Sequence, residues 1–381
     1  MQYRNFGKNI EAGAIQQMEN AISLPISVHG ALMPDAHQGY GLPVGGVLAT
    51  RNAVIPYAVG VDIACRMKIT VFDLDKDLLD TERQHFKSCL ARNTKFGVGQ
   101  EWEEKDRISH PVMEMDWHFH EVVSAQKRKA SGQLGTSGSG NHFVEFGTVG
   151  DKIAVMSHSG SRGPGATIAN HFSKLAKTLH PELPKELQEL AWLDLDTQDG
   201  QDYWAAMTLM GHFASANHEQ VHLRISNDLK RKFNASISLE IENHHNFAWK
   251  ETYNGEELIV HRKGATPAHE GVRGIIPGSM ADPGFLVVGK GFGIESLNSA
   301  SHGAGRQMSR TKAKQAFTWE HLNSLLKERG VELLSAGRDE SPGAYKNIHE
   351  VMAQQTELVE VIGVFNPKIV KMAEANERPE D

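Results

Sequence analysis

Cysteine is scarce in this chain, and long apolar runs and an excess of positive charge are lacking. Only two of the 381 residues are cysteines, Cys65 and Cys89, too few for a disulfide framework, which favours a reducing compartment. No run of about 18 apolar residues is present to form a transmembrane helix. The first residues also lack the layout of a secretory signal peptide. We therefore expect a cytoplasmic protein with no membrane partner.

Acidic residues outnumber basic ones by 47 to 40, and the formal net charge of −7 argues against broad electrostatic coating by nucleic acid. A local basic pocket is still compatible with this balance. The chain is rich instead in glycine, with 36 residues, and in histidine, with 20. The glycines come in short clusters, which often mark places where the backbone closely approaches another group. The many histidines make a site with several imidazoles numerically easy.

Apolar spacing and alternation predict a mixed domain. Helical spacing predicts helices at residues 9–22, 167–179, 199–233, 318–328 and 347–357. Alternating or short apolar runs predict strands at residues 68–72, 153–156, 237–241, 258–260, 285–288 and 358–364. Chemically related polar clusters are spread along this whole length, without an internal repeat or a clear linker. We therefore predict one large α+β domain over residues 1–371, with its active site at strand ends, and an acidic tail over residues 372–381.

The first candidate site follows a mostly apolar run over residues 53–61. Asp62 stands three residues before Cys65, so a carboxylate and a thiolate are delivered together at the end of this run. Both groups are good metal ligands, which suggests a metal site. The alternative is a buried thiol beside a turn aspartate, because free cysteine is among the most buried residue types.

Three histidines, His142, His158 and His245, each lie beside the end of a predicted strand and next to Gly, Ser or Asn. Strand ends on one side of a fold are common places for sites. With Asp62 and Cys65 they make five donors, more than one tetrahedral site needs, so two ions that share the sulfur become possible. Taken singly, each histidine is more often a surface or hydrogen-bonded residue. Ligand softness alone indicates zinc as readily as manganese or iron.

The segment SHGAGR (301–306) differs in character. Its glycines would let backbone N–H groups approach an anion, and Arg306 and Arg310 could clamp phosphate oxygens. His302 could then attack phosphorus and carry a covalent nucleotide. The alternative is a glycine-rich turn with two solvated arginines. The segments SGSRG (159–163) and PGSM (277–280) are further candidate phosphate or nucleotide loops, each with a simple turn as its alternative.

Together these clusters resemble the RtcB family of RNA ligases, which seal RNA with GTP and manganese. The ordered matches cover residues 30–371 and consist of MPDAHQG (33–39), VGVDIACRM (59–67), GNHFVE (140–145), HSGSRG (158–163), HHN (244–246), RKGA (262–265), IPGSM (276–280), SHGAGRQMSR (301–310) and AYK (344–346). Any one match is weak, whereas the ordered set is highly specific. The resemblance implies the single-domain mixed fold that is peculiar to the family.

The resemblance also implies roles for the candidate residues. Cys65 would bridge two Mn²⁺ ions, with Asp62 and His142 completing one and His158 and His245 the other, and His302 would become guanylylated. The residues implied to hold GMP, several of them shared with the metal site, are Asn141, His142, Phe143, Val144, Glu145, His245, Asn246, Pro277, Gly278, Ser279, Met280, His302, Gly303, Ala304, Gly305 and Lys371. Those implied to hold RNA or pyrophosphate-like anions are Arg162, Arg306 and Arg310.

The implied activity joins RNA 3′-phosphate or 2′,3′-cyclic phosphate ends to 5′-hydroxyl ends, through a GMP–histidine intermediate, in RNA repair or tRNA splicing. We expect a monomer or weak homo-oligomer, and the residues do not identify an activating protein partner. Two alternatives involve no ligation. One is a metal-dependent phosphodiesterase that opens cyclic phosphate ends, and the other is a module that binds damaged RNA ends.

Four residues depart from the family pattern. Ala64 and Arg66 flank the cysteine where the family often has glycines, and Ala281 and Gly284 stand where it usually has a glycine and a nucleotide-binding serine. These departures suggest a divergent branch and leave substrate preference, GTP affinity and rate open.

Overall fold

The computed structural model describes residues 3–375, and strands and helices are mixed along this range, which confirms the predicted α+β class. The strands are β1 (Tyr3–Asn5), β2 (Ser27–His37), β3 (Val44–Thr50), β4 (Ala53–Val54), β5 (Arg66–Asp75), β6 (Phe143–Val149), β7 (Lys152–Ser159), β8 (Leu193–Asp194), β9 (Ile237–His244), β10 (Phe247–Tyr253), β11 (Glu256–Lys263), β12 (Ala265–Pro267), β13 (Arg273–Ile276), β14 (Gly284–Gly289), β15 (Ser299–Ser301), β16 (Glu332–Ser335) and β17 (Val359–Met372).

The helices are α1 (Ala12–Ile22), α2 (Pro56–Val59), α3 (Leu78–Thr81), α4 (Arg83–Asn93), α5 (Glu121–Ser124), α6 (Lys127–Gln133), α7 (Arg162–Leu179), α8 (Gln198–Phe233), α9 (Arg310–Ala316), α10 (Trp319–Glu328) and α11 (Ile348–Ala353). Within residues 3–375, no helix combines the length and apolar character that crossing a membrane requires.

The last strand is longer than its apolar pattern predicts. Alternation predicts a strand at residues 358–364, but β17 continues to Met372, because β6 and β16 pair with its second half. A register shift between Pro367 and Ile369 accommodates the proline inside the strand. The acidic tail predicted over residues 372–381 falls outside the described residues from position 376 onward, and Met372 and Ala373 are buried.

Two large sheets form the framework. The eight-stranded sheet has the order β13-β14-β17-β6-β7-β5-β9, with β16 pairing beside β17. Its members β6, β7, β5 and β9 run antiparallel to their neighbours, so β5 and β6 begin at the edge where β7 and β9 end. The five-stranded sheet has the order β1-β2-β3-β11-β10, and β11 continues into β12, which pairs with β15.

The long helix α8 packs against the eight-stranded sheet near these strand ends. Thr197 caps its first turn by accepting a hydrogen bond from Gly200 N at 3.2 Å, and it ends at Asn234 in the left-handed conformation. Its buried apolar residues pack against α7 in one core cluster. On the same helix, the buried Asn217 side chain donates to Ser159 Oγ at 3.3 Å and accepts from Gly135 N at 2.7 Å. These bonds tie α8 to the end of β7.

Arg66, one of the departures from the family pattern, contributes to this framework. It opens β5, is 6% exposed, and its guanidinium pairs with Glu242 of β9 and donates to Gly211 O of α8 at 2.9 Å. Burial alone would raise the pKa of Glu242, but the positive charge of Arg66 above all outweighs it and lowers the pKa to about 2. The ionised pair therefore fastens two strands and a helix next to Cys65.

This pair predicts acid-sensitive stability. A carboxyl whose folded-state pKa lies below its unfolded value stabilises the fold above the unfolded pKa, and this contribution is lost as the pH falls toward about 2. We expect Glu242→Gln to lower the free energy of unfolding at pH 7 by about 2–3 kcal/mol and to flatten its fall between pH 5 and 2, as urea titrations would measure. Glu256→Gln, at an exposed carboxylate paired with Arg51, is the matched control, and an equal loss there would contradict the prediction.

Candidate active site

Four of the five predicted metal donors lie at the ends of adjacent strands. Cys65 immediately precedes β5, His142 immediately precedes β6, His158 lies at the end of β7, and His245 follows β9. Because these strands are antiparallel neighbours, all four side chains reach the same edge of the eight-stranded sheet. Two backbone hydrogen bonds join the residues before β5 to those after β9. His245 N donates to Cys65 O at 2.9 Å, and Ala64 N donates to Asn246 O at 2.8 Å.

The donor atoms form two groups that share one sulfur. Cys65 Sγ lies 3.4 Å from His142 Nε2, which in turn lies 3.1 Å from Asp62 Oδ2. The same sulfur lies 3.1 Å from His158 Nε2, which lies 3.2 Å from His245 Nε2. The ligand atoms of Cys65, His142 and His158 are all within 4.8 Å of one another and buried, as a metal site requires. Sulfur, imidazole nitrogen and carboxylate oxygen together suit a first-row divalent metal.

The protonation states in the cluster favour metal binding. Burial lowers the pKa of His158 and of His245 well below the usual value, so both imidazoles are neutral. His158 Nδ1 donates to the carbonyl of Asn141 at 3.3 Å, which leaves the Nε2 lone pair directed at the cluster. Burial would raise the pKa of Asp62, but the hydrogen bond and charge of His142, followed by the charge of Arg162, outweigh it and keep this carboxylate ionised.

The Asp62 carboxylate lies so close to the backbone at position 160 that only glycine fits there. Its Oδ1 accepts a hydrogen bond from Ser161 N at 3.1 Å. A Cβ atom at Gly160 would lie 2.2 Å from both Asp62 carboxylate oxygens, so any side chain there would displace the carboxylate. Arg162, the next predicted residue, is 3% exposed, and its Nη1 lies 3.2 Å from His142 Nδ1.

His302 faces this cluster from a different part of the fold. It follows β15, and its ring centroid lies 4.9 Å from that of His245. Its Nδ1 lies 2.7 Å from Asp35 Oδ2, and the same oxygen accepts from the backbone N–H groups of His302 at 3.2 Å and Gly303 at 3.3 Å. Asp35 therefore holds the proton on Nδ1 and leaves the Nε2 lone pair available for a nucleophilic role.

Asp35 is fully buried in β2 and stays charged there. Burial alone would raise its pKa, but the hydrogen bond from His302, followed by the charge of Lys346, outweighs it and lowers the pKa. Lys346 donates to Ala36 O at 2.5 Å and to Pro34 O at 3.3 Å, so its ammonium lies beside the strand that carries the carboxylate. Asp35 of the segment MPDAHQG therefore contacts His302, and Lys346 of AYK contacts the strand that carries Asp35.

A cavity of about 480 Å³ contains both the donor cluster and His302. The predicted residues that line it are Asp62, Cys65, Asn141, His142, Phe143, Glu145, His158, His245, Asn246, Pro277, Gly278, Ser279, Met280, His302, Gly303, Ala304, Gly305 and Arg306. Burial raises the pKa of Glu145 well above its usual value, so this wall presents a protonated carboxyl that can donate a hydrogen bond.

Four predicted site residues are not among the described residues that line the cavity. Val144 is buried within β6, and Arg162 lies behind His142. Arg310 pairs with Asp339 Oδ2 at 3.0 Å and with Glu340. Lys371 is on the opposite side of β17 from the cavity residues Val370 and Met372, and its Nζ donates to Thr94 Oγ1 at 3.1 Å.

The structure adds cavity residues without an assigned role in the sequence. Lys263 is 8% exposed, and burial lowers its pKa to about 7. Glu340 and Tyr345 line the wall beside Arg306, whose guanidinium lies 3.3 Å from a Glu340 oxygen and 3.2 Å from the Tyr345 hydroxyl. The motifs RKGA and AYK could have identified Lys263 and Tyr345. Glu340 belongs to no quoted motif.

The contact between Gly160 and Asp62 predicts how metal binding can be weakened. We expect Gly160→Ala to lower the affinity for Mn²⁺ about 10- to 100-fold, because the new methyl group displaces the Asp62 carboxylate from its position. Titration calorimetry on the metal-free protein measures this. Gly363→Ala is the matched control, since the nearest heavy atom to its Cβ would be at 3.5 Å. Equal affinity of the two variants would contradict the prediction.

Comparisons with known proteins identify the family of this chain. A family model described as tRNA-splicing ligase RtcB matches residues 17–372. The chain is 37% identical over 385 residues to the RNA-splicing ligase RtcB of Escherichia coli (strain K12), an alignment that covers 93% of each chain. It is also 33% identical over 434 residues to the tRNA-splicing ligase RtcB of Nanoarchaeum equitans, covering 93% of this chain and 90% of the relative. The chain belongs to the RtcB family of RNA-splicing ligases.

Proposed function

We propose that this protein is a GTP- and manganese-dependent RNA ligase that joins a 3′-phosphate or 2′,3′-cyclic phosphate end to a 5′-hydroxyl end. The observation that carries the proposal is His302, whose Nδ1 bonds to Asp35 at 2.7 Å while its ring lies 4.9 Å from a metal-donor histidine in the same cavity. A nucleophile with its Nε2 lone pair available beside a metal cluster suits attack on a nucleotide phosphorus. Cys65 and Cys89 form no disulfide, which is compatible with the cytoplasm as its compartment.

The two donor groups would hold two Mn²⁺ ions with Cys65 as the shared ligand. One ion would bind Asp62 and His142, and the other would bind His158 and His245. Sulfur-to-nitrogen distances of 3.4 and 3.1 Å on the two sides support a shared sulfur. Bound there, the metal would neutralise the charge of the GTP triphosphate and orient its α-phosphorus for in-line attack.

The GMP moiety would occupy the part of the cavity around Glu145 and the loop 277–280. Asn141 supports this placement, because its buried Oδ1 has no hydrogen-bond partner among the described residues. The protonated Glu145 carboxyl and this free acceptor suit the donors and acceptors of a guanine base. Val144 and Lys371 are left out of the proposed GMP contacts, since neither lines the cavity.

The proposed chemistry has three group-transfer steps. His302 Nε2 attacks the α-phosphorus of GTP, pyrophosphate leaves, and GMP stays bonded to the nitrogen. An oxygen of the RNA 3′-phosphate then displaces the imidazole, which transfers GMP to the RNA end. The 5′-hydroxyl of the other RNA attacks the 3′-phosphorus, its proton is lost to solvent, and GMP leaves. A 2′,3′-cyclic phosphate is first hydrolysed to the 3′-phosphate.

The RNA backbone would be held by a local basic wall rather than by the net charge of the protein. Arg306 lines the cavity, and Arg310 lies behind it in the same group of ion pairs with Glu340. Arg162 would act from behind His142. A few positive groups in a cavity can attract phosphates even when the net charge is −7.

A guanylylation assay tests the nucleophile. Incubation with [α-³²P]GTP and Mn²⁺ should label the protein, and His302→Ala should abolish the label because no other group replaces its Nε2. His212→Ala, at an exposed position of α8, should keep the label. Label retained in His302→Ala would contradict the proposed nucleophile, and an unlabelled wild-type protein would contradict guanylylation.

Nicked RNA with 3′-phosphate and 5′-hydroxyl ends separates ligation from hydrolysis. A product longer than either fragment supports the ligase. Opening of a cyclic phosphate end without joining would favour the phosphodiesterase instead.

Asp35 provides a second test of the same chemistry. We expect Asp35→Asn to slow single-turnover guanylylation by at least about 100-fold, because an amide can donate to Nδ1 and so move the imidazole proton onto Nε2. The affinity for Mn²⁺ should be unchanged, since Asp35 bonds to His302 rather than to a metal donor. Asp73→Asn, at an exposed β5 position that pairs with Lys152, is the matched control. A guanylylation rate within twofold of the wild type would show that Asp35 does not set the tautomer.

A further inference from the structure

One wall of the cavity is aromatic and has no role in the proposed GMP and metal sites. It is lined by Tyr40 and Tyr57. The Tyr40 side chain is 70% exposed, the largest exposed fraction among the large hydrophobic residues of the described chain. Its ring makes an edge contact with Tyr57, with centroids 6.4 Å apart and planes at 81°. One aromatic face is therefore left open at the mouth of the cavity.

The backbone beneath this exposed ring is held at three consecutive residues. Gly39 exchanges two hydrogen bonds with the Gln17 side chain, at 2.6 and 3.0 Å. Lys263 Nζ donates to Tyr40 O, and Gly41 has φ +65°, where an added Cβ would lie 2.8 Å from Glu189 O. These contacts fix the backbone from which the ring projects, and burial of the ring itself contributes little to the fold.

The same contacts connect the ring to the reaction centre. Lys263, which bonds to Tyr40 O, is followed by Gly264. Gly264 lies beside the proposed nucleophile, because a Cβ atom at this glycine would be 3.2 Å from His302 Cε1. Tyr57 lies in α2, directly before the segment that carries Asp62 and Cys65. Lys263 Nζ lies 5.1 Å from the centre of the Tyr57 ring, so one buried side chain contacts both tyrosines of this wall.

We propose that Tyr40, supported edge-on by Tyr57, is a stacking platform for the terminal nucleobase of an RNA end whose phosphate or hydroxyl lies at His302. This inference rests on the proposed RNA ligase activity. A base at a single-stranded end is free to leave its own stack, and stacking on an aromatic ring tolerates any sequence because every base has a π-face. The adjacent Lys263 would keep the Tyr40 backbone in place through its bond to Tyr40 O.

Steady-state ligation with Tyr40→Ala tests the platform. We expect the KM for RNA to rise about 5- to 100-fold, the range that loss of one stacked base produces, with a much smaller change in kcat. Tyr40→Phe, which keeps the ring and removes only the hydroxyl, should restore the wild-type KM. Trp319→Ala removes a 39%-exposed aromatic ring that does not line the cavity and should leave the KM unchanged.

Abasic substrates identify the stacked base. An abasic nucleotide at the 3′-phosphate end or at the 5′-hydroxyl end removes one candidate base at a time. The KM of the wild type should rise to that of Tyr40→Ala with one of these substrates, and the variant should then show no further loss. Equal sensitivity of wild type and variant to both abasic substrates would overturn the platform, and so would a KM for Tyr40→Ala that equals the wild-type KM.

The experiments can contradict the proposed ligase activity and the proposed stacking platform separately. A wild-type protein without guanylylation or ligation would contradict the ligase itself. Normal wild-type ligation together with an unaffected Tyr40→Ala variant would leave the ligase standing and remove only the platform, in which case the exposed ring is open to a protein partner.

Discussion

The antiparallel pairing of β6, β7, β5 and β9 is the constraint on which the site depends. It brings together, at one edge of the sheet, four donors that are separated by up to 180 residues in sequence. His245 is held there because its backbone N donates to Cys65 O at 2.9 Å. A slip of one residue in any of these strands would turn a donor to the other face of the sheet. The Arg66–Glu242 pair and α8 oppose such a slip, because they connect β5, β9 and the helix beneath them.

The proposed nucleophile depends on a different set of contacts from the proposed metal donors. His302 follows the short strand β15 and is held by Asp35 of β2, in the five-stranded sheet. The two parts face each other across the cavity, where the rings of His302 and His245 lie 4.9 Å apart. This separation explains why Asp35→Asn and Gly160→Ala are expected to affect different steps, since one carboxylate orients the nucleophile while the other belongs to the donor cluster.

The proximity of Asp62, Cys65, His142, His158 and His245 could be expected from the sequence, because polar residues at strand ends can be recognised from local pattern. Asp35 was missed as the partner of His302 because the bond joins residues 267 positions apart, and no local pattern encodes that contact. Lys371 was predicted to lie near the base. The bulge between Pro367 and Ile369 shifts the side-chain alternation of β17, so the side on which Lys371 lies depends on a register that the sequence does not reveal.

Backbone strain around the donor cluster indicates that its geometry is imposed by the fold. Ala64 and Arg162 both have φ of 56°, a left-handed conformation that side chains disfavour and that costs of the order of 1–2 kcal/mol each. Ala64 is held by its bond to Asn246 O at 2.8 Å, and the Arg162 guanidinium occupies the space that a Cβ at Gly138 would fill. Ala64 is therefore tolerated where the family often has glycine because the paired strand ends impose its conformation. The same pairing keeps Cys65 Sγ between His142 and His158, at 3.4 and 3.1 Å, so the departure does not displace the sulfur.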